Sequence, residues 1–127
     1  MPLVRISLLK GKPEGINQQV AAVVYRTMTE TLNVPLHDNF QLITEHEQDA
    51  VIYDPGYLNI PRSDGVIFIQ ITLNEGRTVE LKKAFYKALA ERLHQELEVR
   101  PEDVFINLVE VKKENWSFGN GIAQYAE

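Results

Sequence analysis

The sequence contains no cysteine. Disulfides, thiolate chemistry and cysteine-ligated metal sites are therefore excluded, and the expected compartment is a reducing one, the cytoplasm. No apolar run is long enough to span a bilayer, so no membrane partner is expected. The opening MPLVRISLLKGK lacks a basic lead-in and a small-residue cleavage site, and is not expected to be a signal peptide. Positive charge is also scarce. Thirteen Lys and Arg stand against 18 Asp and Glu, a formal net charge of −5. The cations are scattered, which argues against a nucleic-acid surface. His46 lies between Glu45 and Glu47, but no second histidine stands at ligand spacing, so no metal site is expected. A chain of this charge that binds small anions must concentrate a few cations in one pocket.

What is present is self-similarity. Shifted by 65 positions, the chain superposes on itself without a gap. PLVRISLLKGK from Pro2 lies on IFIQITLNEGR from Ile67, so that Ile6 meets Ile71, Leu8 meets Leu73, Gly11 meets Gly76 and Lys12 meets Arg77. NVPLHDNFQLITE lies on EVRPEDVFINLVE, pairing Val34 with Val99, Asp38 with Asp103, Phe40 with Phe105 and Glu45 with Glu110. The 127 residues read as one domain. Its repeats span 2–47 and 66–112, a linker rich in Asp, Pro, Gly and Asn covers 48–65, and a C-terminal segment covers 113–127.

Each repeat reads as β-α-β. Val4, Ile6 and Leu8 alternate onto one strand face, and Ile67, Ile69, Ile71 and Leu73 repeat the pattern. Ile16, Val20, Val23, Val24, Met28 and Leu32 form one helical stripe; Leu81, Phe85, Ala88, Leu89, Leu93 and Leu97 form the other. Pro13 fits the first turn of the first helix, and Thr78 the N-cap of the second, with Glu80 at its positive end. The closing strands are expected over roughly 39–46 and 103–111. Right-handed crossovers then give an α+β fold, a four-stranded sheet with two helices on one face. The other face would carry Leu3, Phe68 and Leu9 among polar residues, which implies cover from neighbouring subunits.

At this point the residues resemble the tautomerase superfamily. ITLNEGRTVELKK is similar to the strand–turn–helix opening of 4-oxalocrotonate tautomerase, and a Met-Pro start followed by a strand is that superfamily's hallmark. VPLHDNFQ, the chain length and WSFGNGIAQ resemble the malonate semialdehyde decarboxylase branch. The resemblance covers nearly the whole chain. It implies a β-α-β-β-α-β protomer, a homotrimer, active sites near each Pro2, small 2-oxo, enol or 3-oxo carboxylate substrates, and no cofactor or metal.

The chemistry follows residue by residue. Removal of Met1 before so small a residue leaves Pro2 as a free secondary amine. An α-amine titrates near about 8 when unperturbed. Desolvation and a nearby cation push it lower, toward a neutral base suited to abstracting a proton beside a carbonyl. A higher value would keep it protonated, as a general acid, the role implied by the decarboxylase branch. Arg77 sits at the turn into the second helix, where a guanidinium can grip a carboxylate in two places; by resemblance it is the substrate-binding arginine. The branch carries two arginines in this turn, whereas Asn74-Glu75-Gly76-Arg77 retains one. Lys12, its repeat mate, is either a surface lysine or a second cation. Asp38 matches the branch's catalytic aspartate; the other reading is a turn aspartate, the role expected for Asp103. His37 is a further substrate-binding candidate, since imidazole titrates nearest neutrality. Trp116 and Phe118 are expected to wall the pocket and keep it dry, with Gly119 and Gly121 making the sharp turn beyond. Tyr53, Tyr57 and Arg62 in the linker offer a lid or an ordinary loop.

Three functions remain open on this reading. The first is a keto–enol tautomerase acting on small 2-oxo carboxylates with Pro2 as base. The second is a decarboxylase or hydratase with protonated Pro2 as acid. The third is a non-catalytic ferredoxin-like module that binds a metabolite.

Overall fold

The computed structural model describes residues 1–126; Glu127, the end of the C-terminal segment, lies outside them. Six principal elements follow the expected order: β1 (Leu3–Leu9), α1 (Ile16–Thr31), β2 (Gln41–His46), β3 (Ile67–Asn74), α2 (Val79–Leu97) and β4 (Val104–Val111). The sheet order is β2-β1-β3-β4. Each repeat contributes a parallel pair, with Val4 opposite Gln41 in one and Ile67 opposite Val104 in the other. The two repeats join antiparallel at the centre, from Leu3 opposite Thr72 to Leu8 opposite Ile67.

Alternation accounts for the core. Val4, Ile6 and Leu8 of β1 and Ile67, Ile69, Ile71 and Leu73 of β3 are buried and meet the helix stripes in one cluster. All six expected stripe residues of α1 are buried in it, as are Phe85, Leu89 and Leu93 of α2. Each such side chain contributes about 1.5–3 kcal/mol by leaving water. The helices pack together and are clasped by the Arg26–Glu96 and Arg92–Glu30 ion pairs. No helix among the described residues is long and apolar enough to cross a membrane.

Three local expectations need correction. Pro13 precedes α1 rather than sitting in its first turn. Gly15, at φ 83°, is the N-cap, and the backbone turns through Pro13 and Glu14 before the helix can begin at Ile16. Leu9 is buried rather than on the open face, because β1 ends there and alternation no longer assigns its side. The closing strands begin later than position 39 and position 103, a 3₁₀ turn at Pro101–Asp103 preceding the second. Thr78 caps α2 as expected, its hydroxyl accepting from the Leu81 N–H at 3.2 Å.

The sheet face away from the helices stays open. Phe68 and Phe105 pack at a tilt across β3 and β4 with ring centroids 5.2 Å apart, and Leu42, Phe105 and Val109 are exposed. The antiparallel centre has a consequence for the site. It sets the residue before β1, Pro2, beside the turn that follows β3, where Arg77 stands.

Candidate active site

The start of the chain is tucked in rather than frayed. Pro2 is buried, and a cleft of about 220 Å³ beside it is lined by Met1, Pro2, Leu3, Phe40, Trp116, Ser117 and Phe118. Three segments converge there. The Val4 N–H donates to the Phe40 carbonyl at 3.0 Å, which draws residues 38–40 against the head of β1. The Glu75 N–H donates to the Val111 carbonyl at 2.9 Å, tying the turn after β3 to the end of β4. The Trp116 indole N–H then donates to Asn74 Oδ1 at 2.7 Å, so the tail is anchored to that same turn.

The tail is a compact aromatic unit. Trp116 stacks on Phe118 with centroids 5.4 Å apart, and Tyr125 meets Phe118 edge-on at 4.8 Å. Gly119 and Gly121, at φ 141° and 68°, supply the reversal expected of them. The Gln124 side chain staples it, accepting from the Phe118 N–H and donating to the Gly119 carbonyl, both at 2.9 Å.

Charge surrounds the terminal amine. Asp38 Oδ2 lies 3.7 Å from the Met1 nitrogen, while Asp38 Oδ1 is buried and accepts no hydrogen bond from any described residue. Burial pushes the amine below its ordinary value; the Asp38 carboxylate opposes this, and the Arg77 and Lys113 charges add to it. Arg77 is half-buried. Its Nε donates to the Leu32 carbonyl at 2.7 Å and its Nη1 to the Asn74 carbonyl at 3.1 Å. Burial pulls its own proton affinity down against Glu110, yet a guanidinium stays charged at any working pH. Two of its five N–H groups are thus spent on the fold, and three remain for a ligand.

The structure therefore gathers Pro2, Asp38, Arg77, Trp116 and Phe118 at one end of the sheet. Asp38 and Arg77 act on the amine without belonging to the lining of the apolar cleft, so the charged groups flank the cleft rather than fill it. His37 is not brought in. Its backbone turns at φ 67°, its N–H donates to the Tyr25 hydroxyl at 2.9 Å, and its side chain is exposed. Lys12 stands past the far end of β1, where its ammonium donates to the Asp64 carbonyl at 3.2 Å. Tyr53 is likewise held at Asp64, and Arg62 folds back onto the Tyr57 and Ile60 carbonyls. Sequence reasoning missed Phe40, Asn74, Gln124 and Lys113. Only Phe40 carried a signal, as an aromatic placed two residues after the singled-out aspartate.

A family model described as tautomerase enzyme matches residues 38–119. The chain belongs to the tautomerase family. The probable tautomerase YusQ of Bacillus subtilis (strain 168) is 46% identical over 127 residues, covering the whole of both chains. The solved structure of FG41 malonate semialdehyde decarboxylase inhibited by 3-bromopropiolate is 34% identical, with a TM-score of 0.90 over 98% of this chain and 94% of that one. A fused 4-OT symmetric trimer, 22% identical, shares the fold at a TM-score of 0.78 over 98% of each chain. As a tautomerase-family protein the chain is an enzyme, which sets aside the ferredoxin-like binding module.

Proposed function

We propose that the chain catalyses keto–enol tautomerisation of small 2-oxo carboxylates, with the Pro2 nitrogen, exposed by removal of Met1, as general base. The observation that carries this reading is the α-amine of Met1 tucked beside Arg77, whose proton affinity is lowered chiefly by burial, in spite of the opposing Asp38 carboxylate. Met1 removal shifts the free amine one residue inward, to Pro2, which is buried. In the keto-to-enol direction the neutral nitrogen takes a proton from the carbon beside the carbonyl. The C–H electron pair becomes the C=C bond, and negative charge gathers on the 2-oxo oxygen. The protonated nitrogen then returns the proton to that oxygen. Arg77 holds the substrate carboxylate with its free N–H groups, and the Phe40, Trp116 and Phe118 side chains exclude water.

The test is mass spectrometry of the purified chain together with ketonisation of an aryl enolpyruvate. Loss of Met1 and measurable turnover are expected. An extra lysine inserted between Met1 and Pro2, which retains the N-terminal extension, should lower kcat/KM by at least about 10². Undiminished activity in that extended chain would overturn the reading.

A second reading is a decarboxylase or hydratase with protonated Pro2 as acid. Asp38 favours it, since its carboxylate raises the proton affinity of the amine. Activity would then fall, rather than rise, as pH passes the amine's titration. The open apolar face of the sheet supports assembly into a homotrimer, to be measured by sedimentation equilibrium, and the absence of cysteine suits a cytoplasmic enzyme.

A further inference from the structure

Tautomerisation of a 2-oxo carboxylate places two negative charges in one site at the transition state. One is the carboxylate, present throughout. The other grows on the 2-oxo oxygen as the enolate forms. Arg77 is the only arginine in the turn after β3, and two of its donors already serve the Leu32 and Asn74 carbonyls. A second cation would match the second charge while the remaining Arg77 donors hold the carboxylate.

The turn that follows β4 carries one. Lys113–Asn115 forms a single 3₁₀ turn, closed by the Asn115 N–H on the Lys112 carbonyl at 3.0 Å. Both of its flanks are fixed to the segment that bears Arg77. On one side the Glu75 N–H holds the Val111 carbonyl; on the other the Trp116 indole holds Asn74. The backbone of Lys113 is therefore held between two tethers, one turn before the aromatic wall of the cleft. Its side chain is exposed and makes no ion pair among the described residues. By contrast Lys82, at the same end of the sheet, is neutralised by Glu110 at 2.7 Å. The charge of Lys113 also reaches the terminal amine, where it acts in the same sense as Arg77 and against Asp38.

We propose that Lys113 is the second substrate-binding cation of this active site, matching the charge that develops on the 2-oxo oxygen while Arg77 holds the carboxylate. The proposal rests on the Pro2 base of the preceding section.

The experiment compares Lys113→Met and Lys113→Arg with the parent and with the N-terminally extended chain. Ketonisation kinetics are read together with inhibition by oxalate, a dianion that mimics the enolate, and by acetate, a monoanion. Lys113→Met should lower kcat by about 10² with a smaller change in KM, because the contact strengthens in the transition state. Its preference for oxalate over acetate should fall by about tenfold, and Lys113→Arg should restore most of both. NMR titration of the Pro2 nitrogen should move upward in Lys113→Met, since a repelling cation has gone, a readout that a purely structural lysine would leave still. Unchanged kcat and oxalate preference, with the extended chain inactive, would overturn the role of Lys113 and leave Pro2 standing. Full activity in the extended chain would overturn both.

Discussion

Arg77 is a strut by its hydrogen bonds and a ligand on the proposed reading, and Arg77→Met separates the two roles. Leu32, at the C-cap of α1, is fully buried, and the Arg77 Nε–H at 2.7 Å binds its carbonyl. A second bond joins Nη1 to the Asn74 carbonyl at 3.1 Å. Methionine keeps much of the apolar stem but donates nothing. A hydrogen bond from a charged group is worth about 1.5–3 kcal/mol, and a carbonyl left unpaired in the interior costs about 1–3 kcal/mol. Arg77 is only half-buried, so water replaces part of the loss, and about 2 kcal/mol is expected for the variant as a whole. For a chain of this length that is a fall of roughly 8 °C in Tm. It should be measured at fixed protein concentration, because assembly contributes to apparent stability. The same variant should lose about 10²–10³ in kcat/KM, the usual cost of removing one preorganised electrostatic contact. Arg77→Lys should recover part of the activity and little of the stability, since an ammonium restores the charge without the fork that spans Leu32 and Asn74. Unchanged thermal unfolding in Arg77→Met would refute the strut; full activity in it would refute the ligand.

Asp38→Asn removes the carboxylate that raises the proton affinity of the amine, leaving burial, Arg77 and Lys113 all lowering it. With a neutral base required, activity rises with pH through the amine's titration, so the acid limb of kcat/KM should move to lower pH; a limb that stays or moves upward would contradict the assignment. Asp103→Ala should behave differently. It strips the buried partner from the Ser63 N–H and hydroxyl, which lie 2.7 and 2.6 Å from the Asp103 carboxylate, and should destabilise by about 3 kcal/mol in denaturant titration while kcat of the folded enzyme holds within about twofold.

The strands and helix stripes were legible because periodicity acts locally. Val4, Ile6 and Leu8 share a face whatever lies far away, and the core residues of α1 follow from a 3.6-residue repeat. The start of α1 was less legible, because the left-handed Gly15 cancels the helical preference of Pro13. Ungapped self-similarity and handedness rules led to two parallel pairs with both helices on one face, whereas the antiparallel meeting of those pairs at the centre came only from the structure. In the site, Pro2, Asp38 and Arg77 stood out through their places in the repeat and in the resemblance. Asn74, Gln124 and Lys113 did not. Asn74 and Gln124 matter through hydrogen bonds to Trp116 and Phe118, 42 and 6 residues away, and Lys113 through its charge at the amine; no local pattern encodes such pairings. His37 looked suitable by residue type, yet the left-handed turn at its own position leaves the ring in solvent.

The two halves of the repeat show how one scaffold yields one site rather than two. Asp38 and Asp103 occupy matched positions, as do Arg77 and Lys12. In the second half the chain runs on through Gly65 and Val66 into β3, so no terminal amine can exist where Pro2 stands in the first. Asp103 is instead saturated by Ser63, and Gly65 leaves room for it: a Cβ there would come within 2.9 Å of Asp103 Oδ2. Lys12 is turned to a backbone carbonyl. Asp103 and Lys12, the two residues that answer to Asp38 and Arg77, thus each have a partner within the chain. At Asp38 one buried oxygen is left without such a partner, beside an amine and two cations. An unsatisfied buried acceptor costs stability, and Asp38 carries that cost where its repeat mate Asp103 does not. The contrast between the two matched aspartates supports placing the proposed chemistry at the start of the chain, on grounds other than residue type.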